Sequence, residues 1–248
     1  MSSDFGLSNP STDIQLWEDS ASAWVNHLGK HGDQSRRFMD PRVWQVLGDV
    51  TNTRVLDIGC GEGRFSRQLA ERGAITTGVD PSKNLLHNAI AIGGGTTYVH
   101  CRGESLPFSD NTFDVVLFYL VLIDIEPFAP AVAEAFRVLK PGGQCVIVNL
   151  TGMNTASERF WEFDAAGNKV GWLMDNYANS RRIVSEWNGI KVHNYHRPLS
   201  DYIQTFLKTG FKLHSFDEAI PTDAEVVENP ELEAHRICPY FNLQVWEK

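Results

Sequence analysis

Val55-Leu56-Asp57-Ile58-Gly59-Cys60-Gly61-Glu62-Gly63 is the segment of this chain whose residue types and spacing most directly imply chemistry. Apolar residues suited to a buried strand run into a loop with glycine at every second position, and a helical pattern from Arg64 to Arg72 follows at once. Glycine has no Cβ, so such a loop lets backbone lie directly against a ligand. The helix start offers N–H groups that have no intrahelical partner. Further on, a second strand, Ile75 to Val79, ends in Asp80, whose carboxylate can accept from both hydroxyls of a ribose. Together these features imply an adenosine-type ligand at the carboxyl edge of a parallel sheet.

The glycine spacing narrows the ligand. A dinucleotide fingerprint, G-x-G-x-x-G, needs a small residue at its sixth position so that helix and strand pack closely. Here Gly63 stands at the fifth position and Arg64 takes the sixth, which argues against a bound pyrophosphate. The stretch resembles motif I of class I S-adenosylmethionine (SAM) methyltransferases, and the resemblance continues along the chain. Gly78-Val79-Asp80 is similar to the second motif. Glu104-Ser105-Leu106-Pro107-Phe108 followed by Phe113-Asp114-Val115-Val116 is similar to the segment entering the fourth strand. Arg137-Val138-Leu139-Lys140-Pro141-Gly142-Gly143 is similar to the turn before the fifth. These motifs keep the family's order from Thr53 to Leu150, a far more specific signal than a lone GxGxG.

The resemblance implies roles for particular residues. Gly59, Cys60, Gly61 and Gly63 would form the loop under the methionine portion of SAM, and Asp57 would lie near its amino-acid end. Asp80 would hold the ribose; a helix N-cap before Pro81 and Ser82 is its alternative, and Pro81 in a first helical turn fits either. Relatives commonly carry an acidic and then a small residue at the positions of Arg102 and Gly103. Arg102 has no acceptor in its side chain, which leaves the Gly103 backbone and the Glu104 carboxylate to meet the adenine, unless Glu104 is a solvated loop residue. Tyr119 and Leu120 would line the cleft. Asp124 falls where a histidine often stands, and is either a base or, by preference, a cap for the helix near Phe128.

The densest polar cluster is His193-Asn194-Tyr195-His196-Arg197-Pro198-Leu199. Its Tyr-His-Arg-Pro-Leu portion recurs in some small-molecule methyltransferases before the corresponding helix, which implies a place at the mouth of the cleft. His196 would act there as a base or orient the acceptor, with Tyr195 as the next candidate; the alternative is a satisfied structural histidine. No Asp, Glu or Cys adjoins His193 and His196, and no metal is expected. Arg36 and Arg37 would either clamp the SAM carboxylate or lie in a solvated linker. The Trp17 and Trp24 stripe reads as core.

The elements that must position these residues follow from periodicity. Ile14, Trp17, Ala21, Trp24, Val25 and Leu28 recur at helical spacing, with Gly29, Gly32 and Asp33 ending that helix. Pro41 is expected to open a second, to about Val50. Strands are expected at Arg54 to Ile58, Ile75 to Val79, Thr97 to Cys101, Val115 to Phe118 and Cys145 to Leu150. Helices fall between them at about Gly63–Arg72, Ser82–Ile92 and Phe128–Leu139, and this alternation implies a parallel sheet. From Thr151 to Pro198 the pattern stops. That stretch reads as a cap without clear periodicity, kept from disorder by Phe160, Trp161, Phe163, Trp172 and Tyr177. A helix from Leu199 to Lys208, ended by Gly210, and strands at Phe211 to Phe216 and Phe241 to Trp246 close the chain.

Composition bounds the rest. The 248 residues are 42% hydrophobic, enough for one sizeable core. A net charge of -9 disfavours nucleic acid as a partner. The longest apolar run, Val115 to Ile123, is shorter than the roughly 20 residues a bilayer requires, and the first residues show no signal-peptide pattern. Cys60, Cys101, Cys145 and Cys238 are scattered and read as free thiols in a reducing cytoplasm.

The expectation is therefore an α/β, Rossmann-like fold. It has a seven-stranded, mostly parallel sheet with an antiparallel last strand, formed by a single domain over 1–248. Residues 1–50 would form an N-terminal helical lid, and 151–198 a cap insertion before the last helix. The expected activity is SAM-dependent methyl transfer to a small, partly apolar or aromatic acceptor, broadly similar to the ubiquinone- and menaquinone-type C-methyltransferases. A homodimer stays open. The rivals are a methyltransferase acting on protein or RNA, a SAM-binding regulatory partner without activity and, more distantly, a dehydrogenase.

Overall fold

The structure, a computed structural model, describes residues 10–31, 34–157, 161–167 and 169–248. Gly32, Asp33 and Phe160 lie outside these. Two helices come first, α1 (Pro10–His31) and α2 (Gln34–Leu47). Strand and helix then alternate through β1 (Arg54–Ile58), α3 (Arg64–Glu71), β2 (Ile75–Asp80), α4 (Lys83–Ile92), β3 (Thr97–His100), β4 (Phe113–Tyr119), α5 (Ala129–Val138) and β5 (Leu139–Leu150). A four-residue turn, α6 (Gly152–Thr155), leads to two hairpins, β6 (Trp161–Phe163) with β7 (Lys169–Trp172) and β8 (Arg181–Trp187) with β9 (Ile190–His196). The chain ends with α7 (Leu199–Thr209), β10 (Lys212–Glu218), the short helices α8 (Asp223–Glu228) and α9 (Ala234–Ile237), and β11 (Phe241–Glu247).

Seven strands form one sheet in the order β10-β11-β5-β4-β1-β2-β3. Neighbours from β5 to β3 run parallel, and β11 lies antiparallel between β5 and β10. The near-continuous apolar runs of β1 and β4 follow from this, because a parallel sheet is covered on both faces. Alternate residues serve opposite layers. Leu56, Ile58, Val116 and Phe118 pack with Ala131, Ala135 and Val138 of α5 and with Phe206 of α7, where Trp246 stacks on Phe206. Val55, Val115, Leu117 and Tyr119 pack with Met39 and Val43 of α2 and with Phe65 and Leu69 of α3.

Three local features depart from the expectation. Pro41 lies inside α2 instead of opening it; buried Phe38 and Met39 before it and Val43 after it hold the helix across the proline, which cannot donate to the preceding turn. The stretch from 151 to 198 is not without regularity. In β8 exposure alternates residue by residue, and Asn188 and Gly189, at φ 48° and 80°, make the two-residue turn into β9. An Asn-Gly pair between alternating residues is a strong short-range hairpin signal, because its turn needs positive φ at both positions. The third feature, α8, is announced by Thr222-x-x-Glu225, a capping box whose two reciprocal bonds are both formed.

Gly189→Val places a branched residue at positive φ, which costs about 1–2 kcal/mol. For a chain of this size that should lower Tm by roughly 2–8 °C, with hydrogen-exchange protection lost mainly across Arg181–His196. An unchanged Tm would show that the turn does not constrain the hairpin.

Candidate active site

The glycine-rich loop turns directly off the end of β1. Gly59 and Cys60 donate their N–H groups to the Val79 carbonyl at 2.8 and 3.0 Å, which ties the loop to the end of β2. Gly59, Gly61 and Gly63 all have positive φ, at 72°, 58° and 79°. They are glycines for different reasons. A Cβ on Gly59 would lie 2.2 Å from Val121 Cγ2, and one on Gly63 would lie 2.2 Å from the Tyr98 hydroxyl oxygen. A Cβ on Gly61 would meet nothing within 4 Å, and Gly61 borders an open cleft.

Asp80 shapes that loop. Its Oδ2 accepts from Gly61 N at 2.9 Å and its Oδ1 from Ser82 N at 2.8 Å. Burial raises its carboxyl to about 6 against these two stabilising bonds. Asp80 is not the cap of α4; Ser82 is, accepting from Leu85 N at 3.1 Å. Asp57 sits behind the loop, accepting from the Ser66 hydroxyl at 2.5 Å, with burial raising it likewise to about 6.

The cleft and its open mouth together span about 870 Å³. Gly59, Gly61, Asp80 and Pro81 form its floor, and Gly103 and Glu104 one side. Glu104 is ion-paired with Arg102. The other side is Tyr119, Leu120, Val121 and Asp124. Leu120 holds φ 56° while its N–H bonds to the Val148 carbonyl at 2.8 Å. A leucine in this left-handed region costs about 1–2 kcal/mol, and such strain tends to collect at functional sites.

The roof is α1, which presents Asp13, Ile14, Trp17 and Trp24 to the cleft. Glu18 accepts from the Ser82 hydroxyl at 2.6 Å and from Asn84 N at 3.2 Å, so α1 is fastened to the start of α4. Ser20 exchanges two 3.0 Å bonds with the backbone of Lys191 on β9. Asp13 accepts from His193 Nδ1 and Tyr195 Oη, each at 2.7 Å. Beneath the roof, the Arg36 guanidinium lies 4.9 Å from the Trp24 ring centre and 5.9 Å from that of Tyr119. Burial lowers Arg36 to about 10, which leaves it charged at neutral pH. The Tyr119 hydroxyl donates to Asp40 at 2.6 Å, and Arg64 clamps Asp40 with bonds of 2.5 and 3.0 Å.

Eight of the expected cofactor residues therefore border the cleft: Gly59, Gly61, Asp80, Pro81, Gly103, Glu104, Tyr119 and Leu120. Four do not. Asp57 is covered by the loop, and Gly63 packs on Tyr98. The Cys60 thiol turns toward Gly78, where an added Cβ would meet its Sγ at 2.9 Å. Arg37 is exposed, because consecutive residues of α2 point about 100° apart and Arg36 takes the inward direction.

Among the expected catalytic residues only Asp124 borders the cleft. It ends a 3₁₀ turn and does not cap α5; its Oδ1 accepts from Asn194 Nδ2 at 2.5 Å, and burial pushes its carboxyl well above the ordinary range. His196 is fully buried away from the cleft. Its Nε2 donates to the Tyr177 carbonyl at 2.9 Å and its Nδ1 accepts from the Thr155 hydroxyl at 2.8 Å, so neither nitrogen is available as a base. Tyr195 stands behind Asp13. Trp17 and Trp24, expected in the core, face the cleft. Trp161 and Trp172 pack on each other, and Trp172 also meets Tyr240, so neither of these two lines the cleft.

A methyltransferase-domain profile matches residues 56–147. A ubiquinone/menaquinone biosynthesis C-methyltransferase from Desulfotalea psychrophila is 38% identical over 121 residues, 47% of each chain. One from Haemophilus ducreyi is 30% identical over 191 residues, 69% of this chain and 71% of that protein. The chain spans about half the length of the first curated relatives it matches. A solved S-adenosylmethionine-dependent methyltransferase from Mesorhizobium loti superposes with a TM-score of 0.78 at 29% identity, covering 85% of this chain and 98% of that one. The chain belongs to the class I SAM-dependent methyltransferases. Among its described residues no helix is long and apolar enough to cross a membrane.

His196→Ala should lower stability by roughly 1–3 kcal/mol, since it strips partners from the Tyr177 carbonyl and the Thr155 hydroxyl. SAM affinity measured by calorimetry should stay within a few fold. Burial lowers the His196 pKa, so the folded protein binds this proton less well than the unfolded chain does. Its contribution to stability should be present above the ordinary histidine value of about 6.5 and be lost as pH falls below it. A loss of SAM binding with unchanged thermal unfolding would return His196 to the site.

Proposed function

We propose that this chain transfers a methyl group from SAM to a small, partly apolar or aromatic acceptor held between the glycine-rich loop and α1. The observation that carries this reading is the missing Cβ of Gly61. Gly59 and Gly63 are required by the protein's own packing, whereas Gly61 keeps a path open to the cleft. The other residues present fit the cofactor. Each Asp80 oxygen accepts one backbone N–H and retains a lone pair for a ribose hydroxyl. Arg36 brings a fixed positive charge to the roof side, suited to a carboxylate.

When bound, SAM supplies a methyl group already activated by the sulfonium, so the chain's task is chiefly to position an acceptor and exclude water. Holding two reactants in line can lower a barrier by roughly 7–11 kcal/mol. Leu120 and Tyr119 would form the wall against which the acceptor is aligned, with the α1 indoles closing over it. The roof helix and the β8–β9 hairpin lie outside the matched span of 56–147, so the acceptors named for the relatives do not carry over with the domain.

Calorimetry should show binding of SAM and S-adenosylhomocysteine and none of NAD; micromolar NAD binding without SAM binding would overturn the reading. Gly61→Val should abolish SAM binding. Asp80→Ala should weaken it by roughly 10–150-fold, the worth of one charge-assisted hydrogen bond. The ionised carboxylate is the better acceptor for hydroxyls, so SAM affinity should fall as pH drops through about 6, where Asp80 takes up its proton. Asp80→Asn should lack that pH dependence.

A further inference from the structure

The roof side of the cleft has a charge and wall composition of its own. It brings two carboxyl groups, Asp13 and Asp124, into one cavity with the indoles of Trp17 and Trp24, which meet edge to face at 5.9 Å. Both carboxyl groups are held by consecutive residues of β9. His193 and Tyr195, on one face of the strand, donate to the two oxygens of Asp13, and Asn194, on the other, donates to Asp124. The strand is thus wedged between α1 and the turn that carries Asp124. Asp13 is buried, yet each of its oxygens keeps a second lone pair. Glu126, also at this wall, is ion-paired with Arg197.

A carboxylate or phosphate entering beside Asp13 would meet a like charge in a space of low dielectric, and the Arg36 guanidinium in the same cleft is the group that the methyltransferase reading gives to the SAM carboxylate. An N–H group finds acceptors, and the Trp17 indole offers apolar surface to an aromatic body, while the Trp24 ring already carries the Arg36 guanidinium. Burial pushes the Asp124 carboxyl toward its protonated form, so the repulsion at this wall comes from Asp13.

We propose, resting on the methyltransferase reading, that the acceptor is an amine or ring N–H nucleophile on an aromatic body without an acidic group. We further propose that Asp13 takes the proton this nitrogen loses. The nitrogen lone pair forms the bond to the methyl carbon as the sulfur–methyl bond breaks, its electron pair staying on sulfur to leave S-adenosylhomocysteine. The methylated nitrogen then carries the positive charge, and its N–H proton passes to an Asp13 oxygen. An acceptor that is an ammonium in solution loses that proton to water before it enters, which leaves Asp13 to take only the N–H proton released on transfer.

The test is S-adenosylhomocysteine release across primary, secondary and heteroaromatic amines, with phenols and carboxylic acids on the same ring frames. Amines should be turned over at least tenfold faster than their matched phenols or acids. Asp13→Asn should lower kcat for the amine by roughly 10²–10⁴-fold, the usual contribution of a positioned proton acceptor. Calorimetric SAM affinity should stay within a few fold, and thermal unfolding should fall only modestly, because the introduced amide oxygen can still accept from one of the two β9 donors. Asp124→Asn, which can still accept from Asn194, is the second variant and should raise KM for amines more than for any neutral alcohol of the same frame. Preferred turnover of phenols or acids overturns the proposal, as does full amine turnover by Asp13→Asn. Should Asp13→Asn unfold, an unchanged amine KM in Asp124→Asn overturns it instead. If SAM binds and no amine is turned over, the acceptor assignment is wrong and the methyltransferase reading stands. If SAM does not bind, it is the underlying reading that fails.

Discussion

The structure depends first on a shortage of space at the end of β1. The chain must leave the sheet, reverse and enter α3 within five residues while Val121 presses on one side, Tyr98 on another and the cleft opens on a third. No L-residue with a side chain satisfies Gly59 or Gly63, since both need positive φ and both would drive a Cβ into a neighbour. The two N–H bonds to the Val79 carbonyl then lock the turn against β2, and Asp80 reaches back to fix Gly61. The end of β2, the loop and the start of α4 are consequently one rigid piece. Its burial raises Asp80, so the carboxylate proposed to meet a ribose is also one whose charge responds to mild acid.

The roof is held on a different principle. The β1–β4 core is secured by apolar burial on both faces of the sheet, whereas α1 turns its indoles toward the cleft and is fastened at its polar positions. Asp13, Glu18 and Ser20 each bridge to another element, to β9 or to α4. Each such bond contributes about 0.5–1.5 kcal/mol net, somewhat more where a charge is involved. Their sum is modest beside the burial that holds β4. The roof is therefore less firmly secured than the floor. The β8–β9 hairpin supplies much of that fastening, which gives the insertion a bracing role from behind the roof.

The floor was legible in the sequence because its constraints are local. Positive-φ glycines, strand-length apolar runs and a carboxylate at a strand end each leave a mark at a fixed spacing, and the order of β1 to β5 follows from them. The roof was less legible because its constraints are directional. Arg36 and Arg37 are chemically identical, and only the helical phase of α2, set by how Phe38, Met39 and Val43 bury, decides which one turns inward. His196 was the most conspicuous residue of a polar cluster, yet at the end of β9 it is buried, and Thr155 and the Tyr177 carbonyl complete its bonding. The hairpin itself was announced by Asn188-Gly189, a signal outweighed by the aromatic composition around it.

Asp13 shows what a closer reading would have needed. It falls one residue before the apolar stripe of α1, and Ser20 falls within it; positions 13, 17, 20 and 24 share one face of a helix of 3.6 residues per turn. A face that alternates Asp, Trp, Ser and Trp is a poor core face, since a buried carboxylate without partners is costly. The pattern becomes consistent once that face divides its tasks, with the indoles set over a cleft and the polar residues anchored to a neighbouring strand. Where local pattern and core packing disagree in this way, the face serves something other than the core. In this chain the disagreement marked the roof, while the more conspicuous polar cluster near the C-terminal helix turned out to be the brace behind it.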